Sequence, residues 1–185
     1  MEHRQAEFNE LENTGWGYMK EPADIPGAPD LKGWYQQIRL WHFPALYSQR
    51  VWAVFQRKRP SDCGVTNTLL RQVTWDRIAD TGRLSDPLQG LAKGFHVSPT
   101  MEIRDRPVDT DAYEARLAVL RKITFPAFAK SPIGLDGESF GIELEHRNTL
   151  VDWWCDGPDS WQELTQWAAA TREWLESIAS AEFPV

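Results

Sequence analysis

Two cysteines, Cys63 and Cys155, are all the thiol chemistry this 185-residue chain has. That excludes a disulfide scaffold and a zinc site built mainly from thiolates. The four histidines, His3, His42, His96 and His146, stand singly, with no pair at metal-ligand spacing. Long apolar runs are missing too. The longest resemble Val51-Trp52-Ala53-Val54-Phe55, far short of the roughly 20 residues a bilayer span takes. The charged N-terminus, Met1 to Glu7, has no apolar stretch behind it, unlike a secretory signal, so a cytoplasmic location is expected. Basic charge is in deficit, with 20 Lys and Arg against 27 Asp and Glu for a net −7. A nucleic-acid backbone or an anionic membrane is thereby disfavoured as partner, whereas a basic protein fits. The one dense basic run, Arg57-Lys58-Arg59, meets Pro60 directly and reads as a strand end or loop. No glycine pattern matches a phosphate loop or dinucleotide fingerprint, and Gly-x-Ser-x-Gly is absent, so neither cofactor nor metal is implied.

Apolar residues at 42% and charged residues at 25% are ordinary globular usage, and the length suits one domain. Residues 1–33 read as a loop-rich segment laid over that domain, with a short helix near Gln5–Glu12 ending at Asn13-Thr14-Gly15. Pro22, Pro26 and Pro29 then impose an extended course. Residues 34–185 form the domain proper. Strand patterns cover Trp34–Phe43, Val51–Phe55, Leu69–Ile78 and Met101–Arg104, and residues 80–99 read as irregular. Asp109–Ile123 is a helix with caps available at Asp109, Thr110 or Asp111. Strands at Phe140–Leu144 and Thr149–Cys155 precede a last helix, Asp159–Ala179, with a capping box at Ser160 and Glu163. Trp161, Leu164, Ala168, Thr171, Leu175 and Ile178 make its apolar stripe, widened by Trp167 and Trp174. Strands in groups rather than alternating with helices predict an α+β fold, a mostly antiparallel sheet with two main helices packed on it.

The C-terminal hairpin carries the sharpest site expectation. Pairing Glu145 with Leu150 sets Ile142 against Trp153 and Phe140 against Cys155, which gives one clean apolar face and makes Cys155 a small buried hydrophobe. On the other face Gly141 meets Trp154, whose ring covers the glycine backbone. Glu143 meets Asp152, and like charges directly across a strand pair are destabilising. Such a pair can bind a cation, or share a proton so that one carboxyl acts as an acid, which makes Glu143, Asp152 and Trp154 the candidate ligand-binding residues. The competing expectation is that the carboxylates pair with an arginine of a neighbouring strand, Arg39 or Arg104.

Tryptophan is the surplus, at ten residues. One small core does not bury so many with ease, so some are expected at the surface, at a protein interface or a sugar-stacking site. The layout Asp136-Gly137, Trp153-Trp154, Pro158, Trp161 and Leu164 resembles one found in uncharacterised bacterial proteins. That resemblance implies a C-terminal hairpin-plus-helix unit and brings no catalytic residue. Small, acidic, Trp-rich bacterial proteins also include toxin-neutralising immunity proteins. The sequence therefore favours a non-enzymatic protein acting through protein–protein contact, of the immunity type. The alternatives are a binder of a small ligand such as a carbohydrate in a Trp-lined pocket, and a hydrolase using Glu143 and Asp152. A cavity with convergent polar groups would favour an alternative, and a flat aromatic and acidic patch the first reading.

Overall fold

The computed structural model describes residues 2–58, 65–85, 98–130, 137–145 and 148–181. Arg59, Cys63, His96, Asp136 and His146 lie outside the described residues. In chain order the elements are α1 (Glu2–Lys20), β1 (Tyr35–Pro44), β2 (Gln49–Lys58), β3 (Val65–Trp75), α2 (Arg77–Ser85), β4 (Met101–Val108), α3 (Thr110–Leu120), β5 (Glu138–Leu144), β6 (Thr149–Trp154) and α4 (Gln162–Ser180). The strands form one sheet in the order β4-β3-β2-β1-β5-β6, and every neighbouring pair is antiparallel. The chain is thus an α+β fold. No helix among the described residues is long and apolar enough to cross a membrane.

Both faces of the sheet are covered. Ile38, Leu40, Trp52, Val54, Leu70, Ile142 and Trp153 pack against Tyr113 and Leu117 of α3 and against Leu164, Trp167, Ala168 and Leu175 of α4. The opposite face presents Trp41, Val51, Val73 and Trp75 to Leu11 and Met19 of α1 and to Ile25, while Ala53 and Phe55 meet Leu31. This double cover explains why Ile38, Arg39, Leu40 and Trp41 are buried in succession instead of alternating. It also divides the tryptophans. Trp41, Trp52, Trp75, Trp153 and Trp167 are buried in the two layers, whereas Trp16, Trp34, Trp154, Trp161 and Trp174 are half-buried and reach the surface in part.

Two arginines fasten the N-terminal segment to its face. Arg39 lies opposite Glu143, and Arg71 lies opposite Asp105. Arg39 bonds Glu143 and donates through Nη1 to the Met19 carbonyl at 3.1 Å. Arg71 grips Asp105 with two bonds and donates to the Pro22 and Pro29 carbonyls at 3.2 and 2.7 Å. Each pair satisfies the buried charges of a strand pair and, at the same time, orphan carbonyls of the strap.

Several elements differ from expectation for identifiable reasons. Helix α1 runs through Gly15 to Lys20, because the bare Gly15 backbone lies directly against the Trp75 ring and acts as a contact rather than a stop. β3 ends at Trp75 and α2 follows in what read as irregular chain. The Asp76 carboxylate accepts from the Ala79 N–H at 3.1 Å, and the buried Asp80 carboxylate accepts from the Trp75 indole at 2.9 Å. Asp109 caps α3, accepting from the Ala112 N–H at 2.7 Å. The Ser160–Glu163 capping box does not form: Asp159–Trp161 is a 3-10 turn, and α4 starts after it without a side-chain cap.

Candidate functional site

The structure separates the three residues singled out on the hairpin. Leu144 pairs with Thr149, Glu143 with Leu150, Ile142 with Val151 and Gly141 with Asp152. The pairing is therefore two residues out from the expected one, while Phe140, Ile142, Val151 and Trp153 still share one face. A two-residue slip preserves the period-two pattern, so hydrophobicity fixes the face but not the register. The Glu145 N–H donates to the Gln37 carbonyl at 2.8 Å, continuing the β1–β5 ladder, and Glu145 takes a φ of 48° where β5 ends.

The facing acidic pair is corrected accordingly. Glu143 is 2% exposed and is held by Arg39, with Nε and Nη2 at 2.7 and 2.5 Å from Oε2. Asp152 stands exposed on the edge strand opposite Gly141. Trp154 covers Gly137, where an added Cβ would come within 2.7 Å of the ring, and Gly141 is covered instead by Trp41 of β1. Arg39 is one of the two arginines expected to compensate the carboxylates. The other, Arg104, pairs with Glu102.

A different group of residues surrounds a cleft of about 620 Å³ between the N-terminal half of α4 and the ends of β5 and β6. Gln162, Thr165, Gln166, Ala169 and Arg172 recur at helical spacing and form the α4 wall, beside the apolar stripe that docks the helix. Ala168 and Ala169 keep that wall shallow. The sheet wall is Glu138 and Phe140 of β5 with Trp153 of β6 and Cys155 beyond it. Its floor is ordered by ring stacking across three strands. His42 lies on Phe140 at 4.6 Å between centroids and 4° between planes, and Phe140 lies beside Trp153 at 6.3 Å and 18°. The Arg172 guanidinium sits 5.1 Å from the Phe140 centroid.

The charges around this floor are fixed by the same packing. His42 Nε2 is 3.0 Å from Glu138 Oε2, so the ring donates from Nε2 and keeps Nδ1 as an acceptor. Burial lowers the His42 pKa, and Arg172 and Arg50 add to that. The Glu138 carboxylate opposes them without cancelling the shift. The ring is therefore neutral at pH 7. Among the described residues Arg172 has no carboxylate within salt-bridge distance, whereas neighbouring Arg50 is engaged with Glu176 at 3.6 Å.

Cys155 departs from expectation, being exposed and free rather than buried. β6 ends at Trp154, and Cys155 takes a φ of 50° while its N–H donates to the Glu138 carbonyl at 2.8 Å. Gly157 then turns with a φ of 73°, close against Trp153 and Thr165, a conformation that glycine accepts readily. His42 pairs with Phe140, which pairs in turn with Trp153, so a whole strand separates the imidazole from β6 and the thiol that follows it. This arrangement does not place a nucleophile beside a base. Among the described residues, no group of three or more His, Cys, Asp or Glu is placed to hold a metal ion. The arrangement is suited instead to hydrogen-bonding and charge recognition over an apolar floor.

Sequence reasoning missed His42, Glu138, Phe140 and Arg172 because their meeting depends on the β1–β5 pairing and on where α4 crosses the sheet. One trace was legible: the polar series Gln162, Gln166 and Arg172 alongside the apolar stripe of α4. No family model, no curated protein and no solved structure matches this chain.

Proposed function

We propose that this protein binds a small polar ligand, of the saccharide class, in the cleft between α4 and the β5–β6 ends. One observation carries the reading: planar polar side chains converge on a concave, ring-floored cleft of about 620 Å³, a size within the usual range for ligand pockets. Glu138, Gln162, Gln166 and Arg172 offer paired donors and acceptors of the kind that match neighbouring hydroxyls. Phe140 and Trp153 supply the apolar side. The exposed free thiol of Cys155 supports a reducing, cytoplasmic setting. Titration with a panel of mono- and disaccharides, followed by tryptophan fluorescence and thermal melts, tests the reading. A saturable response that disappears in a Gln162→Ala, Gln166→Ala double variant of unchanged melting temperature is expected. A panel without any saturable response withdraws the proposal.

A protein-contact role is the second reading, supported by the β1–β2 turn, where Leu46 and Tyr47 are 74% and 71% exposed. An exposed apolar tip of this kind suits docking to a partner. Capture of a partner that survives Leu46→Ser and Tyr47→Ser would remove that support.

A further inference from the structure

We propose that Arg172 is an anion subsite, so that the ligand of the cleft is an acidic saccharide carrying a carboxylate or a phosphate; this rests on the reading of the cleft as a saccharide site. Among the described residues lining the cleft, Arg172 is the one cation. Its guanidinium is held against the Phe140 ring at 5.1 Å and, among the described residues, has no carboxylate within salt-bridge distance. An arginine's planar fork matches a carboxylate or phosphate with two parallel bonds, and a ring beneath it restricts its motion without occupying its donors.

None of the acidic lining residues is within salt-bridge distance of Arg172. Glu138 is engaged with His42 at 3.0 Å. Asp156 and Asp159 lie before α4, and the stretch from Gln162 to Arg172 alone covers about 15 Å at 1.5 Å per residue. Asp156 and Asp159 therefore stand toward the loop that opens α4, away from Arg172, and Glu138 is the acidic lining residue on the Arg172 side, turned onto His42. A ligand lying along the cleft meets hydroxyl-binding amides at Gln162 and Gln166 and an anion-binding fork at the far end. Arg50, next to His42, is occupied by Glu176 and does not compete for the same anion.

The test is calorimetric titration of the intact chain at low salt with glucose, glucuronate and glucose 6-phosphate. The two acidic probes are expected to bind at least tenfold more tightly than glucose, and the stronger of them identifies the anionic group. Arg172→Gln is expected to erase that advantage, weakening the acidic probes at least tenfold more than glucose at an unchanged melting temperature, and Arg172→Lys to restore part of it. Equal affinity of glucose and both acidic probes would overturn the anion subsite and leave the saccharide reading standing. An advantage that survives Arg172→Gln would overturn it as well. Binding of none of the three probes would overturn both.

Discussion

Glu143 and Asp152 lie on one face of one hairpin and have opposite fates. Glu143 is sealed beneath the N-terminal segment with Arg39 across from it, whereas Asp152 faces solvent at the sheet edge. Removing one partner of a buried pair leaves an uncompensated charge, so Arg39→Ala should lower stability by about 3–5 kcal/mol. Asp152→Asn should stay within about 0.5 kcal/mol of wild type, the scale of surface changes. Denaturant melts of the two variants check this. Near-equal losses would show that Glu143 is not sealed.

His42 gives the same scale a pH signature. Its folded pKa lies below the ordinary 6.5, so below that pH the unfolded chain binds the proton more readily than the folded chain does. Stability should therefore fall as pH drops from 6.5 through the lower folded value, and level off beneath it. His42→Gln keeps a donor for Glu138 and has no titrating ring. Its melting temperature should lack that limb of the profile when both proteins are scanned across the window. Asp80 acts at the acid end. Burial pushes its carboxyl upward, but the Thr100 N–H, the Trp75 indole and Arg83 outweigh burial and hold it below the ordinary 3.8. What Asp80 contributes is thus present above pH 3.8 and is lost as the pH falls through its depressed value.

At the scale of elements, α4 does two jobs with adjacent stripes. Leu164, Trp167, Ala168 and Leu175 dock it on the sheet, and Gln162, Gln166 and Arg172 line the cleft. Leu164→Ala removes a side chain that is almost fully buried and should cost about 2–5 kcal/mol in a chemical melt. A loss below about 0.5 kcal/mol would mean the helix is not docked through that stripe. The stripe was legible in advance because helical periodicity is local. Trp167 and Ala179 proved more buried than Trp161 and Ile178, which lie toward its margins. The hairpin was legible to the same depth: its faces follow from alternation, but alternation leaves a register two residues away equally apolar.

At the scale of the molecule, a sheet covered on both sides makes the N-terminal segment part of the core. Arg71, fully buried, ties that segment at Pro22 and Pro29 while paired with Asp105. Arg71→Met should raise hydrogen exchange across residues 21–34 well before it does so in β5, β6 and α4, because it frees carbonyls of the strap and leaves Asp105 without its partner. Uniform loss of protection across the chain would instead mean that the segment is inseparable from the rest.

The chain's own pattern determined the α+β class, the apolar stripe of α4 and the inward face of the last hairpin. Each follows from spacing between residues a few positions apart, which fixes the direction of a side chain within its own element. Composition stated the tryptophan surplus but not its destination, since the number of covered faces depends on where the N-terminal segment lies. Pairing between distant strands decided that Arg39 neutralises Glu143, that Trp41 rather than Trp154 covers Gly141, and that His42, Phe140 and Arg172 meet. Those contacts join residues roughly a hundred positions apart in most cases. No local periodicity encodes them, because the free energy that selects them arises only when the sheet has closed around both cores.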